Sequence, residues 1–114
     1  MEDDFDNWTV QLRKGFLELC VLAALEGGER YGFDLVKSLA AIPGLGVAVG
    51  TLYPLLSRLR RQGLVHTRLE ESSTGPARKY YALTPEGSRT LLAMRAHLTS
   101  LVDGLERLTT EESR

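Results

Sequence analysis

Five residues between positions 51 and 61 carry groups that could bind nucleic acid. They are two hydroxyl residues, one tyrosine and two arginines: Thr51, Ser57, Tyr53, Arg58 and Arg61. An arginine fork matches the acceptor atoms on a guanine edge, and hydroxyl groups serve phosphates or bases. Presented together on an exposed helix, these side chains could enter the major groove of double-stranded DNA.

The same segment has the apolar pattern of a helix with one buried face. Its leucines follow an i, i+3, i+4, i+7 spacing: Leu52, Leu55, Leu56 and Leu59. Pro54, Ser57 and Arg61 then fall on the opposite face, with Tyr53 and Arg58 at its borders. Because a proline has no N–H to donate inside a helix, we expect Pro54 in the first turn. Gly63 is placed to end the helix in a left-handed conformation.

Residues for catalysis or metal binding are sparse. The two histidines, His66 and His97, lie far apart in sequence, and the single cysteine, Cys20, lies in an apolar run. Since no nucleophile motif or metal-ligand spacing occurs, we expect no enzyme, no metal site and no cofactor. A lone cysteine forms no intramolecular disulfide, and we expect Cys20 to pack as a small hydrophobic residue.

Charge is unevenly distributed along the chain. The formal net charge is −1, but residues 49–80 carry six basic residues against two acidic ones, while residues 1–9 carry four acids and no base. A local basic region is what phosphate binding requires. The acidic start is unlike a secretory signal, and no apolar run approaches the roughly 20 residues that span a bilayer. We therefore expect a cytoplasmic protein without a membrane partner.

Two further helices are predicted before the basic segment. Residues 9–25 form a helix that is apolar on most sides in its second half, which indicates a central core helix. Residues 31–41 form a short amphipathic helix that stops before Pro43, because the residue before a proline is disfavoured in a helix.

A β-hairpin is predicted after Gly63. Residues 64–69 alternate in polarity and residues 79–83 are rich in aromatic side chains, with turn residues at 72–76 between them. Three helices followed by a hairpin are typical of the winged helix-turn-helix. The predicted fold class is therefore mainly α with a small β-hairpin, and residues 1–84 form the DNA-binding domain.

A long C-terminal helix is predicted for residues 85–114. Thr84 can cap it, and Pro85 suits its first position. Its apolar residues recur at alternating spacings of three and four: Leu91, Met94, Leu98, Leu101, Leu105 and Leu108. Because such a heptad seam needs a partner, we predict a homodimer held by this helix. The alternative is that the helix folds back on its own domain.

Five blocks of the sequence match a known family. They are ELCVL at 18–22, ERYGFDL at 29–35, GTLYPLLSRL at 50–59, GLV at 63–65 and RKYYALTPEG at 78–87. Over about residues 10–90 the chain resembles the PadR-type transcriptional regulators, and the Gly-Thr-Leu-Tyr-Pro-Leu-Leu block is the most specific part. The resemblance implies an N-terminal winged helix, a C-terminal helix that packs against the partner's first helix, and repression relieved by a small effector. The single C-terminal helix resembles that of the short subfamily.

The resemblance also implies particular contacts. Carried over by position, the DNA contacts fall on Tyr31, Thr51, Tyr53, Pro54 and Arg58, and on Arg78 and Lys79 in the hairpin. Many relatives have a more basic hairpin tip than residues 70–77, so we expect the third helix to dominate binding. Some relatives bind flat aromatic compounds at the dimer centre, where Trp8 could stack on an effector. Alternatively, Trp8 anchors the first helix on the partner's long helix.

Two functions remain open from the sequence. The first is a sequence-specific transcriptional regulator, a ligand-responsive repressor that binds an inverted-repeat operator as a homodimer. In such a dimer the two third helices lie about 34 Å apart, one turn of DNA. The alternative is a winged-helix module that binds protein without sequence-specific DNA binding. Only DNA recognition requires the side chains of Tyr53 and Arg58.

Overall fold

The computed structural model describes residues 2–112 as helices around a small antiparallel sheet. In chain order the elements are α1 (Glu2–Ala24), β1 (Arg30–Tyr31), α2 (Gly32–Ala40), α3 (Val49–Arg61), β2 (Val65–Ser72), β3 (Gly75–Leu83) and α4 (Pro85–Glu112). Three helices precede the β2–β3 hairpin, and a long helix follows it. This arrangement is a winged helix-turn-helix with a C-terminal helix, which confirms the predicted fold class.

The sheet has the order β1-β3-β2, with both pairings antiparallel. The hairpin is longer than predicted, because only residues 73–74 remain between its strands. β1 was not predicted, since two residues are too short to show strand periodicity. Its pairing places Tyr31 opposite Tyr80, so that the residue before α2 lies beside the hairpin.

The four leucines of α3 form the centre of the core. They are 8% exposed or less, as the sequence predicted. The buried residues around them come from every helix and from the hairpin: Leu17, Val21, Leu22, Leu25, Leu35, Val36, Leu39, Leu45, Val65, Tyr81 and Leu91. Cys20 is half-buried at the edge of this core, and burial raises the pKa of its thiol. The protonated thiol therefore packs as a small apolar group.

Helix α1 begins at Glu2, earlier than the predicted start near Thr9. Phe5 and Trp8 extend the apolar stripe of the helix towards the N-terminus, and their rings stack with centroids 6.1 Å apart. Acidic side chains in the first turns, such as Asp3, also favour a helix there, because the helix N-terminus carries partial positive charge.

Pro54 corrects the sequence prediction for α3. The helix begins at Val49, so Pro54 lies in the second turn and Tyr53 lies one turn inside the helix. Pro54 cannot donate to the carbonyl of Gly50. Because Gly50 is exposed, water can hydrate that carbonyl instead.

The end of α3 and the start of α4 are joined by hydrogen bonds. Gly63 has a φ of 78°, its N–H donates to Arg60 at 3.0 Å, and the N–H of Leu64 donates to Leu59 at 3.0 Å. This is a Schellman motif. The Thr84 hydroxyl accepts from the N–H of Gly87 at 2.9 Å and donates to the Gly63 carbonyl at 2.6 Å. α4 is therefore fixed to the helix that carries the basic residues.

The predicted seam of α4 lies in two environments. Leu91 is 3% exposed and packs in the core of its own chain, because the first turns of α4 lie on α1 and β3. It is therefore not free to contact a second copy, which corrects its assignment to the seam. Met94 and Leu98 are half-buried, whereas the last three residues are exposed: Leu101, Leu105 and Leu108. No helix within residues 2–112 is long and apolar enough to cross a membrane.

Candidate nucleic-acid interface

Helix α3 presents one polar face to solvent. Thr51, Pro54, Ser57 and Arg61 are exposed, and Tyr53 is 41% exposed. Since the buried leucines fix the rotation of α3 about its own axis, these side chains all point away from the core. The structure thus brings together the residues that the sequence singled out on this helix.

Arg58 differs from its neighbours because it is paired within the chain. Its Nη2 donates to Oε1 of Glu18 in α1 at 2.7 Å, and the two side chains are 41% and 25% exposed. In the sequence, Glu18 stands out only as the first residue of the ELCVL block at 18–22. A guanidinium has five N–H donors, so this bond leaves Arg58 able to donate elsewhere.

A shallow groove of about 660 Å³ separates α1 from the polar face of α3. Its walls carry three basic side chains and one acid, together with smaller groups: Lys14, Arg58, Arg61, Glu18, Leu17, Thr51, Pro54 and Leu55. Sequence reasoning missed Lys14. It lies four residues before Glu18 on the same face of α1, but only the packing of α1 against α3 reveals that this face borders the basic helix.

Arg13 holds the loop that leads into α3. Its Nη1 donates to the carbonyls of Leu45 and Gly46 at 2.9 and 2.8 Å. Gly46 has a φ of 60°, and a Cβ there would lie 2.7 Å from the same Nη1. The first helix therefore positions the start of α3 through a side chain that the sequence analysis did not single out.

Arg13→Met should loosen this loop without unfolding the protein. Two carbonyls would lose a charged donor, and water would replace it in part. We therefore expect the free energy of unfolding to fall by about 1 kcal/mol. Hydrogen–deuterium exchange should become faster in residues 44–48 and stay unchanged in α4. Arg89→Met is the control, because Arg89 pairs only locally with Glu86 in α4 among the contacts described. Unchanged exchange in the loop would show that Arg13 does not hold it.

Aromatic and arginine side chains cover the outer face of the sheet. The rings of Tyr31 and Tyr80 have centroids 5.7 Å apart, and the guanidinium of Arg78 lies 5.3 Å from the Tyr31 centroid. Two predicted contacts, Tyr31 and Arg78, are thus neighbours. Because side chains alternate along a strand, Lys79 points to the opposite face. The structure therefore separates Arg78 from Lys79.

Arg68 links the hairpin to the loop after α1. Its Nε donates to both carboxylate oxygens of Glu29, at 3.1 and 2.9 Å, and its Nη2 also contacts Oε1. The bond to Arg68 lowers the pKa of the Glu29 carboxyl. Arg68 also lies over the ring of Tyr80, 4.6 Å from its centroid. We therefore assign this arginine a structural role.

Residues 21–94 match the family model described as the transcriptional regulator PadR-like family. The chain belongs to this family. Two related crystal structures are a PadR family transcriptional regulator from Eggerthella lenta and a PadR-like regulator from Bacillus cereus. The first is 38% identical with a TM-score of 0.80, covering 94% of this chain and 93% of that chain. The second is 34% identical with a TM-score of 0.75, covering 86% and 95%.

A third similar structure is PadR of Bacillus subtilis in complex with operator DNA. It is 26% identical with a TM-score of 0.62, covering 69% of this chain and 45% of that chain. No curated protein matches the chain. Because the PadR-like family consists of transcriptional regulators, the prediction that the chain is not an enzyme is confirmed. Among the side chains that the structure describes, those of residues 3–110, no group of three His, Cys, Asp or Glu could hold a metal ion.

The PadR-like chain also has an apolar groove of about 640 Å³ between α1 and α4. Its lining is mostly aliphatic and aromatic: Gln11, Leu12, Gly15, Phe16, Leu19, Thr90, Ala93, Met94, His97, Leu98 and Leu101. Trp8 lies one turn before Leu12 on the same stripe of α1, beyond the lining of the groove, and is 57% exposed. The groove therefore lies on the opposite side of α1 from the basic groove that Lys14 borders.

Proposed function

We propose that this PadR-like regulator is a homodimer that binds an inverted-repeat operator and represses transcription until a small aromatic or hydrophobic effector releases it. The exposed polar face of α3 carries the proposal. Its side chains lie on one side of a helix whose opposite side is buried: Thr51, Tyr53, Pro54, Ser57, Arg58 and Arg61. A single α-helix fits the major groove, where arginine reads guanine. The similar PadR of Bacillus subtilis, solved with operator DNA, supports this assignment.

The hairpin makes the secondary contribution in this proposal. Arg78, with Tyr31 beside it, and Lys79 on the other face contact phosphates that flank the base pairs read by α3. Phosphate contacts fix the position of the protein on the duplex and make the affinity depend on salt. The protein acts in the cytoplasm, where bacterial chromosomal DNA lies.

Exposed apolar side chains on α1 and α4 support the homodimer. Those on α1 include Phe5, Trp8, Leu12 and Phe16, and those on α4 include Leu101, Leu105 and Leu108. An apolar surface of this kind gains about 25 cal/mol per Å² when it is removed from water. A twofold dimer covers both stripes at once, because α4 of each subunit lies on α1 of the other.

The groove between α1 and α4 supports effector binding. Small-molecule sites enclose about 300–1,000 Å³ and are lined mainly by apolar and aromatic side chains, as this groove is. In the proposed dimer the partner's α4 closes the groove, with Trp8 at its end. An effector held there shifts α1 and thereby the spacing of the two α3 helices.

A DNA-binding titration tests this function. Fluorescence anisotropy would be measured with the duplex immediately upstream of the coding region, or with a sequence selected from a random library if that duplex is not bound. Saturable binding that weakens with salt is expected. Tyr53→Ala and Arg61→Ala should each lower the affinity by about tenfold, the size of one base contact.

Arg89→Ala is the matched control, because it removes an exposed arginine from α4. This variant should bind like the wild type. If no sequence can be selected, or if binding ignores sequence and survives both α3 substitutions, the regulator proposal fails in favour of a protein-interaction module.

A further inference from the structure

We infer that Glu18 is a specificity-determining residue, which holds Arg58 for base recognition and withholds it from the phosphates of unrelated DNA. The inference rests on the proposed function, because it assigns to α1 a part in how α3 reads DNA. Glu18 is a positioning residue, since it acts through Arg58 and belongs to the helix behind the DNA-facing one.

The ion pair is built into the packing of α1 against α3. Three-quarters of the Glu18 side chain is buried, and its Oε1 accepts from Arg58 Nη2 at 2.7 Å. Leu17 and Leu55 line the same groove and limit the water around the pair. A charge-assisted hydrogen bond in such a half-desolvated place is stronger than an ordinary surface pair. It therefore selects one orientation of the Arg58 side chain before DNA arrives.

The charges around the pair explain why it affects specificity. Lys14, Arg58 and Arg61 lie around one groove, and Glu18 is the acid on its wall. Without that acid, three clustered cations would attract any phosphate, and this attraction is independent of sequence. Specificity is a difference of affinities, and it rises when binding to the wrong partner is penalised. Glu18 weakens the binding of phosphates from unrelated DNA, while Arg58 keeps free N–H groups for the acceptors of a base.

Glu18→Gln tests the inference because it keeps the shape and a carbonyl acceptor but removes the charge. The affinity for a scrambled duplex should rise about fivefold, as expected for a partly exposed ion pair. The salt dependence should steepen by about 0.9 in log–log slope, equivalent to one further phosphate contact. The affinity for the selected operator should change less, so that the ratio of the two affinities falls. Anisotropy titrations at four salt concentrations measure all three quantities.

Glu26→Gln is the matched control. It removes the same charge from another ion pair of similar length, with Arg95 Nη1 at 2.8 Å, on the side of the molecule that faces α4. This variant should leave both DNA affinities unchanged. A second control places Glu18→Gln in an Arg58→Gln background, where only Lys14 and Arg61 remain as cations in the groove, so the substitution should raise non-specific binding by less than it does in the wild type.

The outcomes separate this inference from the proposed function. If the wild type binds no selected sequence, the proposed function fails. If the wild type discriminates between the operator and the scrambled duplex but Glu18→Gln leaves the ratio unchanged, only the role of Glu18 is overturned. A lower melting temperature of Glu18→Gln with an unchanged salt slope would likewise assign the pair to folding alone. The role is also overturned if the substitution raises non-specific binding equally in the Arg58→Gln background.

Discussion

The double substitution Leu101→Glu and Leu105→Glu is expected to give a folded monomer that binds the operator about a hundredfold more weakly. Both leucines are exposed in the single chain, at 58% and 63%, so charges there do not disturb its core. In the proposed dimer they would be buried against the partner's α1, and burying unpaired carboxylates costs several kcal/mol each. A monomer binds only one half-site. It therefore loses the increase in affinity that two linked binding sites provide, which is about 10²-fold or more.

Sedimentation velocity would measure the mass, circular dichroism the helix content, and anisotropy the DNA affinity. Leu92→Glu is the control, because Leu92 is 71% exposed and lies on the opposite side of α4 from Leu101. This variant should remain a dimer and bind DNA normally. If Leu92→Glu were monomeric and the double variant dimeric, the interface would lie on the other side of the helix.

The order of the main elements could be predicted because each long element shows its own periodicity. The leucine spacing of α3 and the cap at Thr84 gave correct predictions, since both depend on residues only a few positions apart. The start of α3 was not predictable in this way. Its N-cap is Ala48, which makes no side-chain cap hydrogen bond, so no local signal shows that Pro54 lies in the second turn.

The candidate site depends on contacts between distant parts of the chain, and these leave no local pattern. Glu18 and Arg58 are 40 positions apart, and Arg13 and Leu45 are 32 apart. The sequence could identify the polar face of α3 but not the helix that positions it. Leu91 shows the same limit. Its spacing places it in the seam, but the packing of the first turns of α4 assigns it to the core.

Gly87 is the position where a single methyl group should have the largest effect on stability. It is buried in the first turn of α4, and a Cβ there would overlap the carbonyl oxygen of Leu64 and lie 2.9 Å from its carbonyl carbon. That oxygen accepts from the N–H of Thr84 at 3.1 Å, so the backbone cannot retreat without breaking the bond. The close approach of α4 to the start of β2 therefore requires glycine.

Gly87→Ala should lower the free energy of unfolding by about 3 kcal/mol, the upper part of the range for overpacking. The melting temperature, measured at one fixed protein concentration, should fall by about 10 °C or more. Gly104→Ala is the control in the same helix, because nothing described lies within 4 Å of a Cβ there. Alanine is about 1 kcal/mol better than glycine inside a helix, so this variant should be more stable than the wild type. If the Leu64 carbonyl limits the approach of α4, alanine lowers the stability at position 87 and raises it at position 104. Equal changes in melting temperature at the two positions would contradict that explanation.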